Sequence, residues 1–369
     1  MADIYICEWL MRNADAPIRY RVAREFLQDE KAAKAIEADL LEYPVVRLWL
    51  NNLKPETPPQ HWSMEHGSFD FCLENAMMKA VQLGLHAGLQ LLSDATQYYT
   101  EKIKPPIPDL CRHNAGIQSG SANPGFDSIL IANLLTLADI SNSVIQSCIL
   151  RSLDELYNFV LRGVYDIYIS DEERDSLKAV PAIWKNKKFI KRSLIDKYGF
   201  CYPLVYDIVG LHKLYGLANP EVDSKIDAVI EYISTDEFHN AISDGYGILI
   251  SGDRKYHAMG WDPKYPGWFN VKEFIEKDNV PKLLLFAEYI SKYPVARKTK
   301  WFSDFLDCMK KYQTDSGRYL FPAGWLKEQR GYAVMGSHIS FGENRNKKNW
   351  REIESTFYML LLNQREDKL

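Results

Sequence analysis

The chain has 369 residues, a net charge of −4, 46% hydrophobic residues and 25% charged residues. That length can bury a sizeable core, as one large domain or two ordinary ones, and a mildly acidic chain without a basic stripe argues against a dedicated nucleic-acid binder. Aromatic residues stand out at 13%, with 22 Tyr and 9 Trp.

The opening "MADIYICEWLMRNADAP" carries acids where a signal peptide needs a basic flank. No stretch reaches the roughly 20 apolar residues of a membrane span. Six scattered cysteines without a CxxC pair read as small hydrophobes in a reduced, cytoplasmic protein.

The apolar spacing is then helical almost throughout. Residues 18–53 form a helix pair bending around Gln28–Glu30. A polar and aromatic loop, "QHWSMEHGSFD" (60–70), offers Trp62, Glu65, His66 and Asp70. A second pair, 73–103, turns at a glycine corner, and "SGSANPG" (119–125) is a turn leading into a third pair, 126–160, bent near Ala138–Ser141. Residues 161–199 mix charge runs with a short amphipathic helix and read as an insertion on the outer face or rim. The pair 203–233 repeats the second one, with Gly216 in the place of Gly84 and Pro203 and Pro220 suited to helix starts.

After "DGYG" (244–247) comes "RKYHAMGWDPKYPGW" (254–268), which has no Val, Ile or Leu and supplies Arg254, Tyr256, His257, Trp261, Asp262 and Trp268. The pair 281–313 bends at Tyr293–Pro294. A third aromatic loop, 317–345, holds Tyr319 and His338, and a last helix at 352–364 closes the series. No strand alternation runs beyond a few residues. The expectation is an all-α chain of helical hairpins in which the first helix of each pair is the more apolar. Such a helix needs burial on every side, which the inner ring of a closed barrel supplies better than an open solenoid.

"QTDSGRY" (313–319) reads Gln-x-x-x-Gly-x-aromatic. It resembles the repeat motif of squalene and hopene cyclases, with "DGYG" and "PQHW" (59–62) as worn versions. The resemblance implies the alpha/alpha toroid of the terpenoid-cyclase and protein-prenyltransferase superfamily, as one domain over the whole chain. It does not extend to that superfamily's chemistry, since neither DxDD nor DDxxD occurs. "FDFC" places Asp70 and Cys72 at the Asp-x-Cys spacing of the prenyltransferase zinc site, with His113 as third ligand, but early in the chain rather than late; no metal and no cofactor are expected.

GxSxG, GxxxxGK[ST] and HExxH are missing too. Glu74, Asp127, Asp207 and Glu354 each fall near the start of an apolar helix. In a ring they would converge at one end, although acids in a first turn also simply complement the helix dipole. The catalytic candidates are Asp262, His257 and Asp207. The substrate-binding candidates are Trp62, His66, Arg254, Tyr256, Trp261, Trp268, Tyr319 and His338, because Tyr, Trp, His and Arg make rigid surface with polar tips. Three functions stay open. The first is a toroid that holds or transforms a hydrophobic, isoprenoid-like small molecule. The second is a carbohydrate-active hydrolase or lyase on short oligosaccharides, and the third is a non-catalytic scaffold.

Overall fold

The computed structural model describes residues 4–54, 65–103, 124–194, 201–217, 219–250, 256–277 and 279–363, with backbone alone at 124–126. These residues are mostly helical. They divide into two compact units, one of Met1–Tyr98, Leu137–Ile140 and Pro266–Leu369, the other of Tyr99–Thr136 and Ser141–Tyr265. No described helix is long and apolar enough to cross a membrane.

The first unit begins with α1 (Ile4–Asn13) and α2 (Ala16–Arg21), which runs on as a π-helical turn, Val22–Phe26. The bend expected at Gln28–Glu30 is present: Gln28 has φ 52°, and Asp29 caps α3 (Glu30–Glu42) by accepting from the Ala32 amide. A further break, not anticipated, separates α3 from α4 (Pro44–Asn52). Its cause is Pro44, which forces Tyr43 out of the helical region.

Three helices of this unit are buried almost all round: α5 (Leu73–Gln82) and the helices Val280–Ile290 and Trp350–Asn363. Helix α6 (Gln90–Lys102) follows α5 after the Gly84 corner. The second unit holds α7 (Pro124–Leu137), α8 (Ser143–Val160), α9 (Asp171–Asp175), α10 (Val205–Leu211), α11 (Pro220–Ile233) and α12 (Asp236–Ala241). A small antiparallel hairpin pairs β1 (Ile248–Ile250) with β2 (Tyr256–Ala258). The first unit resumes with α13 (Val271–Glu276), α14 (Val280–Ile290), α15 (Pro294–Arg297), α16 (Lys300–Lys310) and α17 (Trp350–Asn363).

The hairpin repeat has a consistent burial pattern. Every residue of α10 and of α14 is buried, whereas α11 and α16 bury single stripes such as Ile226, Val229, Ile230 and Ile233. A helix without a polar face must be covered on all sides, and its partner need only be covered on one. The corners behave as the alignment of Gly84 with Gly216 requires, with φ of 99° and 79°, where an L side chain is strained.

Residues 161–194 do more than carry α9. Ile190 donates its amide to the Ile248 carbonyl at 2.8 Å, and Ile248 donates back to Lys188 at 2.8 Å, so this segment extends the β1 edge. Ile167, Phe189 and Ile190 are buried accordingly. Much of the aromatic excess also goes into this unit's core: Tyr165 stacks on Tyr232 at 4.6 Å, Tyr202 on Phe238 at 6.1 Å, and His239 meets Tyr265 edge-on at 5.2 Å.

Candidate functional site

The sequence candidates fall into both units. In the second, Asp207 sits in the first turn of α10 and accepts from the Leu204 amide at 2.8 Å and from Asn133 Nδ2 at 3.3 Å. These are the partners of a helix-capping acid. Trp261 gives its carbonyl to the Val205 amide at 3.0 Å and meets Tyr246 edge-on at 5.4 Å. Asp262 is buried against Tyr202, whose phenol burial pushes well above its usual range, with the Asp262 charge adding to it. His257 is half-buried on β2 opposite Leu249, and Tyr256 donates its hydroxyl to the Lys178 carbonyl at 2.6 Å. Trp62 and Arg254 lie outside the described residues, as does His113.

In the first unit, Trp268 is half-buried in the turn before α13. The motif Gln313–Tyr319 closes on itself: Gln313 Nε2 donates to the Gly317 carbonyl at 3.2 Å, and Gln313 and Tyr319 form a backbone bridge. Tyr319 is buried, and its amide donates to Thr356 Oγ1 at 3.0 Å. Of the four helix-start acids, Glu74 and Glu354 belong to this unit and Asp127 and Asp207 to the other.

The same unit brings His66 and Asp70 of the 60–70 loop together with the 317–345 loop. Asn75, fully buried in α5, donates to the carbonyls of Gly67 and Phe69, both at 2.8 Å, and accepts from the Ala333 amide at 2.7 Å. One side chain thus clips both loops. His66 contacts Glu74 at 2.5 Å through Nδ1, and its ring lies 5.5 Å from that of Tyr332. Gly336 lets the second loop approach α14: it has φ 78°, and a Cβ there would lie 2.5 Å from the Pro281 carbonyl carbon.

Behind these loops lies Lys79, whose side chain is wholly buried in the middle of α5. Its ammonium donates to Glu328 Oε2 at 2.6 Å, to the His338 carbonyl at 3.1 Å and to the Ser340 carbonyl. All three donors are therefore used, which is what makes a lysine tolerable at this depth. Glu328 reaches on with Oε1 to His338 Nδ1 at 3.3 Å. Burial alone would push its carboxyl up, but Lys79 and His338 together outweigh that and hold it at about 2. An ionised Glu328 requires the proton on His338 Nδ1. The far nitrogen, Nε2, faces Asp70 Oδ1 at 3.6 Å, and neither atom has a hydrogen-bond partner among the described residues. Trp49 meets the His338 ring edge-on at 4.7 Å.

The segment carrying His338 is pinned at nearly every residue. Gln82 Nε2 holds the Ile339 carbonyl at 2.9 Å, and Glu354, buried in α17, accepts from the amides of Phe341 at 3.0 Å and Glu343 at 3.1 Å. Arg345 pairs with the same carboxylate at 3.2 Å. Solvent reaches the cluster through Glu328, Asp70 and His66, each about a third exposed, while Glu74, Lys79 and His338 lie behind them.

Sequence reasoning singled out His66, Asp70, Glu74 and His338 but passed over Lys79 and Glu328. The available signal was a lysine inside the apolar run "LENAMMKAVQ". Of the Asp-x-Cys pair, Asp70 faces His338 and burial pushes the Cys72 thiol up to about 11; no trio of His, Cys, Asp or Glu among the described residues, which do not include His113, is placed to hold a metal ion. Compared with known proteins, the chain matches no family model, no curated protein and no solved structure.

Proposed function

We propose that the first unit carries a general-base site for a polar, hydroxyl-bearing small molecule, with short saccharides as the class that fits it best. The observation that carries this reading is the series Lys79–Glu328–His338–Asp70, in which a buried histidine is oriented through Nδ1 by a carboxylate and has Nε2 beside a second carboxylate. A base positioned by a third group is the working arrangement of proton-transfer sites. Nε2 takes a proton from a ligand hydroxyl or an attacking water. The resulting imidazolium is stabilised by Glu328 on one side and Asp70 on the other, and can return the proton to a leaving oxygen.

The alternation of wholly buried and half-buried helices supports an alpha/alpha toroid as the framework. The isoprenoid reading has less behind it, because the two loops meet over charged side chains. The scaffold reading expects no convergence of the loop residues, whereas His66 meets Tyr332 and Asp70 meets His338.

The test is incubation of the protein with neutral and uronate-containing oligosaccharides, with products read by mass spectrometry. Turnover that falls by about 100-fold or more in His338→Gln, at an unchanged far-UV spectrum, is the expected result. Turnover unaffected by that substitution, or no turnover of any member of the panel, would remove the reading.

A further inference from the structure

The basic run in the 161–194 segment plays no part in the His338 site. Residues 176–194 contain five lysines, one arginine and no acid, in a chain whose net charge is −4. The root of this run is fastened to the second unit. The Ile169 amide donates to the Phe189 carbonyl at 2.9 Å, and the Lys191 amide to the Ile167 carbonyl at 2.8 Å. Tyr256 ties in the other end, since its hydroxyl holds the Lys178 carbonyl at 2.6 Å while its ring meets Phe189 edge-on at 5.7 Å.

Between these anchors the chain makes two successive tight turns. The Trp184 amide donates to the Pro181 carbonyl at 2.9 Å, and the Lys187 amide to the Trp184 carbonyl at 2.9 Å. The turns gather Ala182 to Lys187 into one small projection. Ile183, at its tip, is 77% exposed, whereas Trp184 beside it is half-buried. Lys178, Lys185, Lys188 and Arg192 are all exposed around it. Lys188 meets Asp171 at 3.6 Å, and the Lys187 ammonium lies 4.0 Å from the Tyr246 ring centre. The remaining printed pairs of the nearby α9 stay within that helix: Asp171 and Asp175 each meet Arg174 at 3.1 Å.

We infer that this turn docks the protein reversibly on an anionic lipid surface. Ile183 enters the boundary of the acyl region, Trp184 lies at head-group depth, and Lys178, Lys185 and Lys188 face the phosphates and carboxylates. Charge complementarity selects an anionic partner, and the composition selects its kind. Lysine is a flexible point charge suited to a diffuse layer of anions, whereas paired recognition of single carboxylates or phosphates favours arginine. A nucleic acid rewards an open aromatic face on which a base can stack, but here the open side chain is aliphatic. The inference uses no residue of the His338 site.

The experiment is co-sedimentation of the full chain with phosphatidylcholine vesicles holding either no phosphatidylserine or about 30% of it, at about 50 and about 500 mM salt. The protein should pellet with the anionic vesicles at low salt, and far less with neutral vesicles or at high salt. Lys178→Gln combined with Lys185→Gln should weaken binding about tenfold or more, at roughly fivefold for each exposed lysine. Ile183→Ser, which changes no charge, should weaken it about fivefold with the melting temperature unchanged. Equal binding to neutral vesicles, binding to neither, or binding indifferent to Ile183→Ser would overturn the inference. So would a single-stranded oligonucleotide or polyglutamate that binds more tightly than the vesicles and displaces the protein from them.

Discussion

Two regions hold ionisable side chains within the fold and treat them in opposite ways. In the first unit, Glu328 sits between a buried ammonium and His338 and is held near pH 2 while remaining in touch with solvent. In the second, His239 meets Phe238 and Tyr265 edge-on, and Asp262 lies against Tyr202; burial, with the Lys264 charge assisting, pushes His239 down to about 3. The first arrangement keeps charges alive by pairing them across loops. The second keeps a histidine neutral inside aromatic walls, which favours packing. Burial of an ionisable group is thus no indication of chemistry until its partners and its route to solvent are known.

The strongest way to break this contrast is pH. Because His239 titrates near 3 in the fold and near 6.5 when unfolded, its stabilisation is complete above 6.5 and is lost as pH falls toward 3. The expected slope is up to about 1.4 kcal/mol per pH unit in that window, and His239→Gln should flatten it in urea titrations at stepped pH. An unchanged slope would mean that His239 is not kept neutral. Next comes Lys79→Met, which leaves Glu328 and two carbonyls without their donor. We expect a loss of roughly 3 kcal/mol, the low end for a broken buried pair because Glu328 is 37% exposed, and a loss below about 1 kcal/mol would show the relay to be incidental.

A smaller effect of opposite sign is expected from Glu343. Its carboxyl accepts from the Asp15 amide at 2.5 Å and pairs with Lys347 at 3.1 Å, yet burial, aided by the Asp15 charge, pushes it up to about 7. The fold therefore holds an extra proton between 4.5 and 7, and this stabilisation is lost as pH rises through that range. Glu343→Gln should remove the decline, seen as melting temperatures that no longer fall from pH 5 to 7. The least change belongs to Asp262→Asn: burial dominates the Tyr202 and Tyr168 shifts, so unfolding should move by less than about 1 kcal/mol. A large loss there would make the second region the more electrostatic of the two.

Part of the site was legible before any fold was known. The 60–70 and 317–345 loops announce themselves by Tyr, Trp and His in place of aliphatic residues, and the structure joins them through Asn75. The 254–268 loop carries the same composition, yet two of its aromatic residues pack within the second unit: Tyr256 on Lys178 and Phe189, and Trp261 on Tyr246. Composition alone does not distinguish a loop that meets another loop from one that folds onto its own unit.

The helical hairpins, their glycine corners and their more apolar first helices follow from the sequence, because helix period, corner glycines and first-turn prolines act over a few residues. The break at Pro44 belongs to the same local physics, since a proline constrains only its neighbour. Lys79 and Glu328 were beyond that reach. They lie 249 residues apart, and an ammonium in an apolar helix declares its purpose only when a distant chain segment arrives with three acceptors. Local propensity therefore set the elements of this protein, and tertiary packing decided which of its charges would meet.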